Sequence, residues 1–585
     1  MDKTKLWEAL ERGKKYYNSL SPNYYVSVKT NRNFFRGLHW EGIETNGGYP
    51  PVLNWCKRAI QMMVASITSS KIAIQYSPLL YRKDEDPVDP NQEAHKEASD
   101  IVTAEVNNIL EKVNMDNRYR DAMYDGAITG DYYGHWIWDS QTKPFGGTLD
   151  DADGVIDFEL IEGTSVHLGN PNNPKITTKT QPYVLITGRD LTENLRAEAK
   201  YFKSQENPDS DSNMDYMTTN NSNIEIQADE YGKSTYVIGY SYDRKTKTIK
   251  VSKSTQNAYI YQDIDTGLSF YPVTSGKWER INNQAPGLSL IEGIIPNQIV
   301  INIMLFLIQK HQMLNAFQKP IFNADKISEW NNDIGKAIPV KDLLPGDNVR
   351  NFAAYLQSGD ISAAIVRVFE MTIQYTKEVL GINDAMTGSI NPGTASGTAI
   401  AMTVQQSNIP LDNPKANLYE WVEDNGRVIL DMITTYYGKR SIVIDGKMQK
   451  YDFGKLKGMW LNTKCDVGPS SYWSEQNQVD MLNNLLAMKD PNFDMITFLE
   501  SLPENYQNKE LNEKIKDKIA EAKKMADDQA VIDQAKQTND PNKAFDEFMN
   551  GLSPELQQAV AKESQSKVQE NPNVNLDQLI GKLGG

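Results

Sequence analysis

The sequence predicts an α+β fold, and three observations carry this prediction. Apolar residues recur at every third or fourth position through about the first 130 residues, which indicates amphipathic helices. Between residues 134 and 283 apolar and polar residues alternate, which indicates strands. Two long helical segments then enclose a stretch rich in Gly and Pro. The length of 585 residues leads us to expect roughly three or four domains.

Composition and charge exclude several classes of protein. The chain is 39% apolar and 24% charged, as expected for a globular protein and not for a disordered one. Its net charge is −16, so it lacks the overall basic surface of a tight duplex-DNA binder. Residues 471–585 contain 20 Asp and Glu against 12 Lys, and therefore carry half of this charge.

Cysteine content and hydropathy predict a reduced protein without a membrane segment. Cys56 and Cys465 are too few and too distant to form a disulfide framework. The N-terminus is charged and shows no apolar core of a signal peptide. The longest apolar run, residues 299–308, is too short to cross a bilayer and is expected to be a buried helix.

In the N-terminal half, helices are predicted at residues 51–70, 93–115 and 118–134. The first would begin at a proline and carry one apolar stripe made of Val52, Cys56, Ile60, Met63 and Ile67. In the strand-rich region, "DRKT" is expected to form a hairpin turn, and the polar residues 204–223 an exposed loop.

In the C-terminal half, a helix apolar nearly all round is predicted from Pro296 to the stop at Pro320. Such a helix must be buried against several neighbours. A second long helix is expected at residues 359–381, and a third should kink or break at Pro410 and Pro414. A short strand-rich part and a helical tail would follow.

The loop before the third helix, "MTGSINPGTASGTAIAMTVQQS" (386–407), resembles two catalytic motifs and matches neither. It has no Lys to reach a phosphate, so it is not a phosphate-binding loop. A nucleophile elbow would need Gly two residues before Ser396, and that position is Thr394. Ser396 is better interpreted as a helix N-cap.

Other motif matches also fail, so no catalytic residue, metal site or cofactor is predicted. "DFG" at 452–454 lacks every other kinase motif and is interpreted as a strand end. The acidic segment 149–154 would place Leu149 and Leu160 at calcium-ligand positions, where leucine cannot bind the ion. This segment is interpreted as an acidic turn between strands. The histidines lack metal-ligand spacing; they are His39, His95, His135, His167 and His311.

Two segments resemble the portal proteins of tailed bacteriophages. They are "PNQIVINIMLFLIQKHQMLNAFQKPIF" (296–322) and "VLGINDAMTGSINPGTASGTAIAMTVQQS" (379–407). The latter segment resembles the family's tunnel loop followed by its "SG-x-A" helix start, at Ser396, Gly397 and Ala399. The order of elements along most of the chain supports the resemblance, whereas the polar insertion 204–223 matches no family feature.

The resemblance implies a portal fold with a mixed α/β wing, a two-helix stem, a small clip and a helical crown. The implied bounds are wing 1–286 (β-rich from 134) and 438–470, stem 288–319 and 358–381, clip 320–357, tunnel loop 382–396, kinked helix 397–437 and crown 471–585.

The resemblance also implies function without catalysis. Such a chain would form a ring of about twelve subunits at one capsid vertex of the virion, after assembly in the host cytoplasm. The ring would pass double-stranded DNA non-specifically during packaging and ejection. Its other partners would be the terminase large subunit, a head–tail adaptor, and the major capsid and scaffolding proteins, with no membrane.

Candidate functional residues follow from this assignment. A duplex must move past the channel wall without adhering, and each Lys or Arg on a phosphate adds affinity. Small hydroxyl and amide side chains suit this task, and an acidic crown would repel DNA. The tunnel-loop candidates are Asp384, Thr387, Gly388, Ser389, Asn391, Gly393, Thr394 and Ser396.

Six further residues are candidates outside the loop. Lys310 and Lys319 on the first stem helix either face the channel or bridge to carboxylates of the next subunit. Candidate partner contacts in the clip are Lys336, Lys341, Asp342 and Arg350.

Two alternative functions remain open at this point. A head–tail scaffold or adaptor without a channel would leave the small-residue loop and the apolar helix unexplained. A nucleic-acid-processing hydrolase would need convergent carboxylates or a phosphate loop.

Overall fold

The computed structural model divides into two compact units, Met1–Gly468 and Pro469–Gly585. In the second unit only residues 482, 515 and 518 are described. In the first unit the described residues are 2–45, 49–78, 92–140, 154–205, 217, 228–316, 319–331, 333, 335–355, 362–382, 409–444, 447–459 and 461–467.

The N-terminal region is helical, as predicted. Its helices are α1 (Lys3–Ser19), α2 (Tyr24–Arg36), α3 (Trp55–Ile67), α4 (Gln92–Lys112) and α5 (Met115–Thr129). The predicted stripe of α3 is buried except for its first residue. That residue, Val52, is exposed because α3 begins at Trp55 behind the N-cap Asn54, and not at a proline.

One strand in this region was not predicted. Strand β1 (Ile72–Pro78) pairs antiparallel with β14 (Leu461–Val467), with Ile74 opposite Cys465. The partner of β1 lies at the other end of the first unit. The alternating pattern of β1 is short, and without its partner strand the sequence does not distinguish it from the end of a helix.

The strand-rich region forms two antiparallel sheets. One has the order β3-β2-β9, with β2 at Asp131–Asp139, β3 at Val155–Ile161 and β9 at Val273–Lys277. The other runs β4-β5-β6-β7-β8. Its strands are β4 (Val166–Leu168), β5 (Tyr183–Leu191), β6 (Lys233–Asp243), β7 (Thr248–Ser254) and β8 (Tyr259–Asp265), and helix α6 spans Thr192–Gln205.

The predicted hairpin turn is confirmed, whereas the predicted exposed loop is partly wrong. The turn joins β6 to β7, and Lys247 takes a positive φ of 60° there. Most of residues 204–223 lie outside the described part of the chain. Met217 is described and is buried against Leu195 and Ile260.

The long apolar helix α7 spans Leu290–Ala316 and is followed by a small two-stranded sheet of β10 (Pro320–Phe322) and β11 (Ala353–Tyr355). Helix α8 (Ala363–Val379) then packs against α7. Pro296 lies inside α7 and does not start it, because the helix begins six residues earlier. By length and composition alone α7 could cross a membrane, and 28% of its most apolar window is buried.

The third long helix, α9, spans Asp412–Tyr436. The part of the predicted helix before residue 409 lies outside the described residues, so the predicted kink or break stays a prediction. Pro410 lies in a 3₁₀ turn just before α9, and Pro414 in its first turn. Strands β12 (Lys439–Ile444) and β13 (Lys447–Asp452) follow, and Phe453 is buried directly after the end of β13, so "DFG" is a strand end. Trp421 of α9 packs edge-on against Tyr132 and Phe158 in the main core.

Candidate functional site

The hairpin of α7 and α8 is held at its base by a buried polar network. Oε1 of Gln298 accepts hydrogen bonds from the backbone N–H of Trp55 (2.8 Å) and of Cys56 (3.3 Å). Its Nε2 donates to the carbonyl of Leu53 (2.7 Å) and to Oδ1 of Asn302 (3.0 Å). The first amides of a helix have no partner within that helix, so Gln298 is a cap for α3 supplied by α7.

His39 extends this network and was predicted only as a histidine outside any metal site. Its Nε2 donates to the carbonyl of Phe34 (2.8 Å), and its Nδ1 accepts from Nδ2 of Asn302 (2.7 Å). Burial lowers the pKa of His39, and the bonds to Phe34 and Asn302 oppose that effect. The neutral ring is therefore the form that suits the fold.

A second set of hydrogen bonds joins the start of α7 to α2 and α5. Nδ2 of the buried Asn31 donates to the carbonyl of Ile128 (2.9 Å) and to Oγ of Ser289 (3.0 Å). The base of α7 is thus bonded to α2, α3 and α5.

Beyond its base, α7 lacks the burial that its composition predicts. In this fully described helix the buried residues are Ile291, Ile294, Gln298, Ile301 and Asn302, all in the first half. A stripe of side chains at helical spacing is exposed. It comprises Ile299, Ile303, Leu307, Lys310 and Leu314.

Helix α8 is apolar on two faces. One face, which includes Phe369 and the buried Thr376, is covered in the chain. The other consists of Val368, Met371, Tyr375 and Val379, which are spaced by three, four and four residues and are all exposed. We call the exposed sets on α7 and α8 the α7 stripe and the α8 stripe.

The two predicted stem lysines occupy different environments. Lys310 is exposed within the α7 stripe, with Nζ 5.8 Å from the ring centre of Phe306 one turn earlier. Lys319 is exposed just before β10.

The four predicted clip residues are all exposed. Lys336 forms an ion pair with Asp333, three residues before it. The backbone at Lys341 and Asp342 bonds to Lys326, whose Nζ donates to the Asp342 carbonyl (2.6 Å). Leu343 and Leu344, which were not predicted as contacts, are exposed next to these charges.

The predicted tunnel-loop residues lie outside the described part of the chain. The description ends at Ile382 and resumes at Ile409, so it includes none of the eight candidates from Asp384 to Ser396. Gly381, with a φ of 66°, lies directly before the predicted tunnel loop.

The wing contains a buried ion pair that was not predicted from the sequence. Asp131 on β2 is fully buried, with Oδ2 3.5 Å from Nζ of Lys277 on β9. Tyr24 donates to Oδ1 of Asp131 (2.6 Å), and Lys277 donates to the hydroxyl of Tyr133 (3.0 Å). Burial raises the pKa of Asp131 and lowers that of Lys277, and their mutual attraction opposes both changes.

Both groups of this pair are almost fully buried, and their surroundings are tightly packed. A Cβ on the neighbouring Gly163 would lie 2.4 Å from Oδ1 of Asp131, so even a methyl group does not fit. Among the described residues, no three His, Cys, Asp or Glu side chains group as a metal site would require.

Comparison with known protein families identifies the chain. A family model described as phage P22-like portal protein matches residues 191–571, which is more than half of the chain. The chain belongs to the P22-like portal protein family. The match includes the α7–α8 hairpin and the segment that follows it. A search of curated proteins found no match.

The match to the family model confirms the predicted family. A portal protein is a part of a capsid-associated oligomeric ring at a vertex of the virion, and the family is generally non-enzymatic. The mixed helices and sheets of the described chain are compatible with a portal fold.

Proposed function

We propose that this portal protein forms a ring of about twelve subunits whose central channel passes double-stranded DNA during packaging and ejection. The observation that carries the proposal is the pair of apolar stripes on the hairpin, in a chain whose family forms rings. Soluble monomers rarely expose apolar patches larger than a few hundred Å². In a ring, the α7 stripe of one subunit would pack against the α8 stripe of the next.

Charge on the hairpin favours a protein neighbour over a lipid one. Helix α8 carries Arg367, Glu370, Lys377 and Glu378. Each such charge at the centre of a bilayer costs about 2.5–3.5 kcal/mol on insertion scales. A neighbouring subunit can bury the stripes and leave these charges in water. Lys310, inside the α7 stripe, would then reach a carboxylate of the next subunit.

The channel constriction is proposed for residues 382–396, as the sequence resemblance implies. This segment contains Asp384 as its sole charged residue, with no Lys or Arg. Its hydroxyl and amide groups would make weak, exchangeable contacts with a moving duplex.

The wing, crown and clip are proposed at the positions that the sequence resemblance implies. Wing residues 1–286 and 438–470 would form the periphery, and 471–585 an acidic crown. The clip, 320–357, would dock the terminase large subunit and later the head–tail adaptor through Leu343 and Leu344 and the predicted charges. Capsid and scaffolding proteins would surround the ring in a virion assembled in the host cytoplasm.

Negative-stain imaging with mass measurement tests this function. The full chain should be co-produced with the scaffolding protein of its phage. Rings of about twelve copies with a central hole are the expected result. A chain that stays monomeric beside assembled shells, or one with nuclease or ATPase activity, would contradict the proposal and support an adaptor or a hydrolase.

A further inference from the structure

A groove of about 900 Å³ opens beside the base of the hairpin. Its walls come from α2, the α2–α3 connection and α7, and they are mainly apolar. The apolar side chains that line it include Val26, Leu38, Trp40, Ile43, Ile299 and Ile303.

The groove and the α7 stripe form one continuous apolar surface. Ile299 and Ile303 belong to both. At the opposite wall, Val26 and Ile43 are 60% and 56% exposed. A subunit that covered the stripe would therefore meet the groove as well.

We propose that this groove receives the C-terminal end of α8 from the adjacent subunit, with Tyr375 and Val379 inserted. The proposal rests on the ring proposed above and specifies which segment fills its interface. Val379 is 78% exposed and Tyr375 54% exposed, the two most exposed members of the α8 stripe.

Cyclic symmetry selects this segment. Within one chain, Nζ of Lys377 lies 5.6 Å from the ring centre of Trp55, whose amide bonds to Gln298. The end of α8 is thus level with the α7 residues that line the groove. In the proposed ring the hairpins run along the ring axis, and rotation about that axis leaves the position along it unchanged. The end of α8 from the next subunit therefore lies level with the groove.

Charge agrees with this placement. The C-terminus of a helix is negative because its last carbonyls have no intrahelical partner, and Glu378 adds to this charge. Lys29 is exposed at the groove wall and would face it. Glu41 is the acidic residue that lines the groove, and its carboxylate accepts a hydrogen bond from Nδ2 of Asn33.

The consequence concerns the proposed tunnel loop. Helix α8 leads within three residues, through Gly381, into residues 382–396. A groove that holds the end of α8 would hold the base of that loop on the adjacent subunit.

A disulfide between copies tests the contact. Ile43→Cys and Val379→Cys are introduced together into a Cys465→Ser chain, because Cys56 is buried and Cys465 is partly exposed. Mild oxidation of purified rings should then give covalent dimers, trimers and larger multimers on a non-reducing gel. The matched control is Ile43→Cys with Val366→Cys, which lies on the other side of α8 and should give monomers.

Three outcomes would overturn the inference. Intact rings without multimers leave the ring proposal in place and exclude this contact. A faster-migrating monomer means that the groove meets α8 of its own chain. A chain that forms no ring under assembly conditions contradicts the ring and the groove contact together.

Discussion

Oε1 of Gln298 lies 2.8 Å from the backbone nitrogen of Trp55, and this bond joins the long helix α7 to the first residue of α3. Two further bonds of the same side chain reach Leu53 and Asn302. A single amide thus satisfies three backbone groups around the start of α3 and joins them to the hairpin base.

Replacing this residue should destabilise the fold. Gln298→Leu removes the acceptor of the buried Cys56 amide and leaves the Trp55 amide with the Leu53 carbonyl alone, so we expect a loss of about 1–3 kcal/mol of unfolding free energy. Urea unfolding followed by circular dichroism measures it. Gln312→Leu, on the exposed side of the same helix, should change stability by less than about 0.5 kcal/mol. Equal effects of the two substitutions would contradict the capping role.

The pair Asp131 and Lys277 should behave as a coupled unit. Lys277→Met alone leaves a buried carboxylate without its cation, and should cost about 3–5 kcal/mol. Asp131→Asn alone strands the ammonium group in the same way. The double variant should recover at least half of the summed loss in a double-mutant cycle, whereas simple additivity would show that the two groups do not interact.

Stability should fall in mild acid because of buried neutral histidines. Burial lowers the pKa of His135 from 6.5 to about 4, and its ring bonds to Tyr240. Between pH 6.5 and pH 4, His135 therefore binds a proton in the unfolded chain and stays neutral in the folded chain. This contribution is complete above pH 6.5 and is lost as the pH falls toward 4, by about 3 kcal/mol.

His135→Gln should reduce that fall between pH 7 and pH 4. It should not abolish it, because burial also lowers the pKa of His167 to about 4. Denaturant unfolding at several pH values gives the slope for each protein. Parallel curves for the variant and the unmodified chain would rule out His135 as a source of the pH dependence.

Ring formation should depend on the α7 stripe. Leu307 is half-exposed at the middle of the stripe, so Leu307→Asp should leave the subunit folded and should prevent ring assembly. Sedimentation velocity and negative-stain images measure the outcome. The control is Tyr231→Asp, an exposed residue in the turn before β6, which should assemble normally. Rings from the Leu307→Asp chain would place the interface elsewhere.

A cation in the proposed tunnel loop should hinder DNA. Thr387→Lys would add about twelve positive charges around the channel, and each phosphate contact strengthens binding in a salt-dependent way. We expect normal rings but slower packaging, measured as nuclease-protected DNA per capsid. Thr387→Gln, of similar length and no charge, should package normally. Unaffected packaging by the Lys variant would mean that this position does not face the duplex.

Much of the fold was predictable from local pattern. The helices α3, α4 and α5 and the strand-rich centre were all expected, since each depends on residues close in sequence. Strand β1 was not, because its pairing with β14 joins the two ends of the first unit. The start of α7 was misplaced because the prediction put Pro296 in the first turn, where proline is favoured, whereas the helix holds it in the second turn.

By itself the sequence determined the order of the elements, the apolar character of α7 and the resemblance to portal proteins. Tertiary structure decided which of those apolar residues are covered. It buried Gln298 and Asn302 among the polar groups of α2 and α3, paired Asp131 with Lys277 across two strands, and left Leu307 and Val379 exposed. The reason is that periodicity reports which side chains share a face, whereas burial depends on what packs against that face. For α7 and α8 the chain itself covers one side, and we propose that the next subunit covers the other.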